Sequence, residues 1–98
     1  MRQVVYLRAA RRDLREISDY IKASNPAAAA NIVREVDAAA QLLATVPSIG
    51  HRRPDVRNPA YRCHGVGPYI VVYRYDDDHL FLVRIVHGRR DFKKLFGP

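Results

Sequence analysis

Cysteine occurs once in 98 residues, methionine once and tryptophan not at all. A lone thiol, Cys63, closes no intramolecular disulfide and builds no thiolate zinc cage, so covalent and metal staples are excluded as the basis of the fold. Packing has to hold it. Long apolar runs are missing as well. Nothing approaches the roughly 18 to 20 residues of a membrane span, and the opening MRQVVYLRAARRDL has too short an apolar stretch for a secretory signal. The expected location is therefore the cytoplasm, without membrane contact. No internal repeat is visible, and the one biased stretch, the alanines at 27–30, sits inside a helical pattern.

What is present is enough apolar residue to build a core: 48% of the chain is hydrophobic against 28% charged. That balance and length fit one domain spanning residues 1–98. The charge is lopsided. Seventeen basic residues against ten acidic leave +7, with arginine dominating the basic set. Residues 1–46 carry 7 basic and 5 acidic side chains (+2), while 47–98 carry 10 and 5 (+5). A field of this sign attracts polyanions and acidic proteins, and the arginine fork suits phosphate and carboxylate better than solvation alone requires.

Gln3 to Leu7 reads as a strand rich in valine and tyrosine. From Ala9, the residues Ala10, Leu14, Ile17 and Ile21 trace one face of a helix ending near Ser24, with Arg11, Arg12, Arg15, Asp19 and Lys22 opposite. Asn25-Pro26 offers an N-cap followed by a first-turn proline, and the stripe from Ala29 through Leu43 carries a second helix to Val46. The short link between them predicts an antiparallel helical hairpin. Pro47 to Pro59, with three prolines and the basic His51-Arg52-Arg53, reads as an irregular and mobile connection. Strands are expected at Ala60 to His64, Tyr69 to Tyr75 and Leu80 to His87, separated by the turns Gly65-Val66-Gly67-Pro68 and Asp76-Asp77-Asp78. The order β-α-α-β-β-β predicts an α+β fold with the hairpin packed on a mostly antiparallel sheet. Strict alternation puts Ile70 and Val72 opposite Tyr69, Val71, Tyr73 and Tyr75. It also puts Leu80, Leu82, Arg84 and Val86 opposite Phe81, Val83 and Ile85. Arg84 interrupts its face, which marks the open side of the sheet as a place to seek function.

In order and spacing, ARRDLREISDYI, NPAAAANIVREV, PSIGHRRPDVR, YRCHGVGPYIVVYRY and VRIVHGRRDFKKLF resemble the ParE branch of the RelE/ParE toxin superfamily. The likeness spans nearly the whole chain, and its most specific pieces are YIVVYR and RIVHGRRD. It implies the same strand, hairpin and sheet. It also implies the toxic half of a type II toxin–antitoxin module, forming a hetero-oligomer with a ParD-like antitoxin. The superfamily's branches differ in target: RelE-like members cut mRNA on the ribosome, whereas ParE-like members poison DNA gyrase and need no hydrolytic site.

A metal-independent ribonuclease needs a base, cations and an acid around one phosphate. Arg62, Arg84 and His87 are the candidates for that alternative. RelE-like toxins typically complete the set with a tyrosine or similar group near the C-terminus, and here the tail reads Asp91-Phe92-Lys93-Lys94-Leu95-Phe96, in which phenylalanine transfers no proton. Gyrase inhibition by binding is therefore the favoured reading, with no catalytic residue, metal or cofactor assigned and with Arg84, His87, Arg89 and Arg90 as the target-binding set. His87 can equally cap a strand end, and Arg84 can pair with Asp91 or the Asp76 to Asp78 turn. Cys63 and His64 diverge as strand neighbours, so they make no nucleophilic dyad. Asp76 to Asp78 lack the spaced ligands of a calcium loop. The tyrosines Tyr69, Tyr73 and Tyr75 are expected in the core or an interface rather than stacking bases. Phe92, Leu95 and Phe96 either pack against the hairpin or stand out as an anchor.

Overall fold

The structure, a computed structural model, describes residues 1–92; Leu95 and Phe96 of the expected apolar tail lie outside the described residues. Strand β1 (Gln3–Tyr6) leads into helix α1 (Arg8–Lys22), residues 23–25 turn the chain, and helix α2 (Pro26–Thr45) returns. Asn25 caps α2 by accepting from the Ala28 N–H at 3.0 Å, with Pro26 at its first turn. A short 3₁₀ turn (Pro47–Ile49) opens the connection to β2 (Arg62–Val66), β3 (Tyr69–Tyr75) and β4 (His79–His87). The sheet order is β1-β4-β3-β2, with β1 parallel to β4 and the other pairs antiparallel. The expected α+β order is the one observed.

The helices cover one face of this sheet. Ala10, Ile32, Val36, Ala40, Leu43 and Ala44 meet Val71, Tyr73, Leu80, Leu82 and Ile85 in the main core. Ala39, Ala40 and Ala44 of α2 are buried in this core, as its stripe requires. On α1 no side chain caps the N-terminus and no acid occupies the first turn, while Arg8 and Arg11 sit there against the helix dipole. The helix is held instead by its buried stripe. Tyr6 ties β1 to α2 by donating to Asp37; burial first, and then that carboxylate, raise the phenol pKa.

Alternation along β4 departs from the sequence reading. The register slips between Val72 and Tyr73, leaving Val83 as an extra residue opposite that step. Beyond this bulge the faces exchange: Ile85 joins Leu80 and Leu82 beneath the helices, and Val86 joins Val83 on the other side. That other side is not open. Val56 and Tyr61 from the connection and Phe92 from the C-terminal segment cover Cys63, Ile70, Val72, Val83 and Val86. Phe92, 1% exposed, therefore packs on the face opposite the hairpin.

The connection, expected to be mobile, is anchored at several points. His51 and Cys63 exchange backbone hydrogen bonds at 2.8 Å, and the buried Tyr73 hydroxyl donates to the Pro47 carbonyl at 2.6 Å while accepting from the Gly50 N–H at 2.9 Å. Glycine is required at 50, because a Cβ there would lie 2.1 Å from that hydroxyl. Gly67, with φ +56°, supplies the left-handed residue of the β2–β3 turn. In the β3–β4 turn Asp76 accepts from the Asp78 and His79 N–H groups, which lowers its pKa. Among the described residues no helix is long and apolar enough to cross a membrane, and no group of three or more His, Cys, Asp or Glu could hold a metal.

Candidate functional site

Arg84 marks a post between sheet and helix. Its Nε and Nη2 donate to Asp13 Oδ2 and Oδ1 at 2.7 and 3.1 Å, and the Ile85 N–H donates to the same Oδ2 at 3.0 Å. Asp13 is 7% exposed, and the pairing raises the Arg84 pKa. The partner is thus an acid of α1, and neither Asp91 nor the Asp76 to Asp78 turn fills the fork. The sequence does hold the signal for this. Asp13 falls three residues after Ala10 and four before Ile17, inside the apolar stripe, and Arg84 is the cation that interrupts apolar β4.

His87 ends β4 and organises the turn beyond it. Its Nδ1 accepts from the N–H groups of Arg89 and Arg90, both at 3.2 Å, and its ring meets Tyr69 edge-on with centroids 5.7 Å apart. Arg62, on the edge strand, donates from Nη1 to the Gly50 carbonyl at 2.8 Å. Arg62 pairs with Tyr73 of β3, whereas Tyr69 of β3 pairs with His87 on β4 and with Val66 on β2. His87 therefore lies about 13 Å along the strands and about 10 Å across them from Arg62. The three candidates of a ribonuclease set are each engaged in the fabric, and Arg62 and His87 are held apart.

Arg89 and Arg90 stand exposed on the turn that His87 fixes. Two open clefts flank it. One, of about 190 Å³, runs between α1 and the end of β4, with Glu16, Tyr20, Tyr69, His87 and Arg90 in its wall. The other, of about 560 Å³, lies over the β2–β3 turn, with Pro68, Ile70, His87 and Arg89 in its wall. His87 is common to both. Tyr20, 74% exposed at the rim, escaped the sequence reading; its signal was an aromatic flanking the α1 stripe on the side of Asp13 and Glu16. Of the tyrosines considered for stacking, Tyr69 and Tyr73 are buried, and Tyr75 lies beneath the Arg2 guanidinium, 5.3 Å from the ring centroid. Cys63 is buried and its thiol is pushed up to about 11, chiefly by desolvation, which leaves it unreactive.

A strand, a helical hairpin and an antiparallel sheet closed by a parallel first strand define this small α+β class, and a solved chain of known context shares it. That chain is from the chromosomal ParDE TA system of P. aeruginosa. It aligns at 23% identity over 89% of this chain and 96% of its own, with a TM-score of 0.73. Residues 4–92 match the family described as the ParE toxin of the type II toxin–antitoxin system parDE, and the chain belongs to that family. No curated protein matches.

Proposed function

We propose that this chain inhibits DNA gyrase by binding it, and that an acidic ParD-like antitoxin neutralises it in the cytoplasm. The observation that supports the reading is the engagement and spacing of Arg62, Arg84 and His87, which among the described residues do not gather around a common phosphate site. Family membership supplies the toxin role. The target surface in this reading is the turn bearing Arg89 and Arg90: His87 fixes its backbone, and Arg84 holds the end of β4 against α1. Exposed arginines there steer and orient docking on an acidic partner. The +7 charge favours a negatively charged antitoxin segment that orders on binding.

The ribosome-dependent endoribonuclease of RelE type is the competing reading. Induced expression distinguishes the two. DNA-damage signalling without codon-positioned mRNA cuts is expected; cuts that vanish in His87→Ala, with no DNA damage, would overturn the proposal. A pull-down from native cells should recover a small acidic protein with the chain, and recovery of the chain alone would remove the antitoxin from it.

A further inference from the structure

We infer that the connection between α2 and β2 carries a second cationic surface, a groove that takes the phosphate backbone of duplex DNA. The groove, about 290 Å³, is lined by Arg52, Arg53, Arg57, Asn58 and Tyr61 together with two prolines and Val56. Its floor is set. Val56 is buried in the outer sheet cluster, and its N–H donates to the Arg53 carbonyl at 3.0 Å. Asn58 shapes the far side, accepting at Oδ1 from the Ala60 N–H at 2.9 Å and through its carbonyl from the Tyr61 N–H at 3.1 Å.

The three arginines are not equivalent. Arg53 donates from Nε and Nη2 to the two Asp55 oxygens at 3.1 Å each, and its guanidinium lies 3.9 Å over the Phe92 ring. Its charge is matched and its position fixed. Arg52 and Arg57 are exposed on either side of it and enter no ion pair among the described residues. Two unmatched guanidiniums on an anchored loop lose little backbone freedom on binding, and each fork can take two oxygens of one phosphate.

A phosphodiester chain suits this lining better than an acidic polypeptide. Peptide docking draws its affinity from apolar or aromatic anchors in desolvated pockets. Here Val56 is committed to the core, and Tyr61 is half-buried against the same cluster. Charge remains as the main attraction, and duplex DNA presents about one negative charge per 1.7 Å of axis. The surface is also joined to the gyrase-facing turn. Arg53 rests on Phe92, which follows Arg89 and Arg90 by a few residues, so one packing contact links the groove to that turn.

Duplex binding of this kind involves DNA and this chain alone, without gyrase. The test is fluorescence anisotropy of a labelled 20-base-pair duplex titrated with the purified chain across a salt series, alongside Arg52→Ala/Arg57→Ala and a thermal melt. The double variant should weaken duplex binding about tenfold and lower the log–log salt slope by about 2, with an unchanged melt. Absence of duplex binding by the unaltered chain, or equal affinity and slope in the variant, would overturn it. So would displacement of the duplex by polyglutamate at equal charge, which would assign the groove to an acidic protein. Gyrase inhibition is read separately, by supercoiling, so either result leaves that reading to its own assay.

Discussion

Asp13 and Arg84 lie 71 residues apart and are joined by two hydrogen bonds, with Asp13 almost wholly out of water. Removing one partner strands the other charge. Arg84→Ala should therefore cost about 3 kcal/mol in urea unfolding, whereas loss of target binding without loss of stability would make Arg84 a surface contact instead. Tyr73 poses a similar case with neutral groups. Tyr73→Phe leaves the Gly50 N–H and Pro47 carbonyl without their partner and should cost about 1–3 kcal/mol by the same measurement. Burial also raises the pKa of Tyr73, and that of Cys63 to about 11 from 9.0. Both groups fold in the neutral form. Their contribution is complete below the unfolded-state values and is lost as pH rises through the folded ones, so melting temperature should fall from about pH 9 upward, first by way of Cys63. A melt independent of pH between 9 and 11 would contradict this, as would rapid reaction of Cys63 with a thiol reagent in the folded chain.

At the scale of elements, α1 is the instructive helix, since its uncapped and arginine-bearing first turn offers little stability of its own. Its stripe and the Asp13 lock on β4 hold it. Periodicity made both helices and the hairpin legible, and Asn25-Pro26 announced the second start, because local chemistry decides those features. The bulge at Val83 was illegible: one extra residue exchanges the faces of Ile85 and Val86, and no residue type there signals it. The covered outer face was hidden for a related reason. Val56 and Phe92 reach the sheet from irregular segments that no period describes. Phe92→Ala should cost about 3–5 kcal/mol, because it removes one of the largest fully buried side chains from that cluster. An unchanged melt would show that the C-terminal segment is not structural up to residue 92. Of the candidate site, the individual residues were readable from motif and charge, but their separation was not, since it depends on which strands pair and in what register.

Over the whole molecule, exposed arginines stand on the helices (Arg8, Arg11, Arg12, Arg15 and Arg34), along the connection (Arg52 and Arg57) and at the turn after β4 (Arg89 and Arg90), while Arg62 and Arg84 are tied to the Gly50 carbonyl and to Asp13. The partner claim is tested most directly by gyrase-catalysed supercoiling and DNA cleavage with the purified chain, compared with Arg89→Ala/Arg90→Ala at matched thermal stability. Surface changes of this kind shift stability by no more than about 0.5 kcal/mol, so lost activity would not reflect unfolding. The expected result is inhibition with accumulation of cleaved DNA by the unaltered chain, and clear weakening in the double variant. Undisturbed supercoiling by the unaltered chain, or full inhibition by the double variant with the same salt dependence, would contradict it.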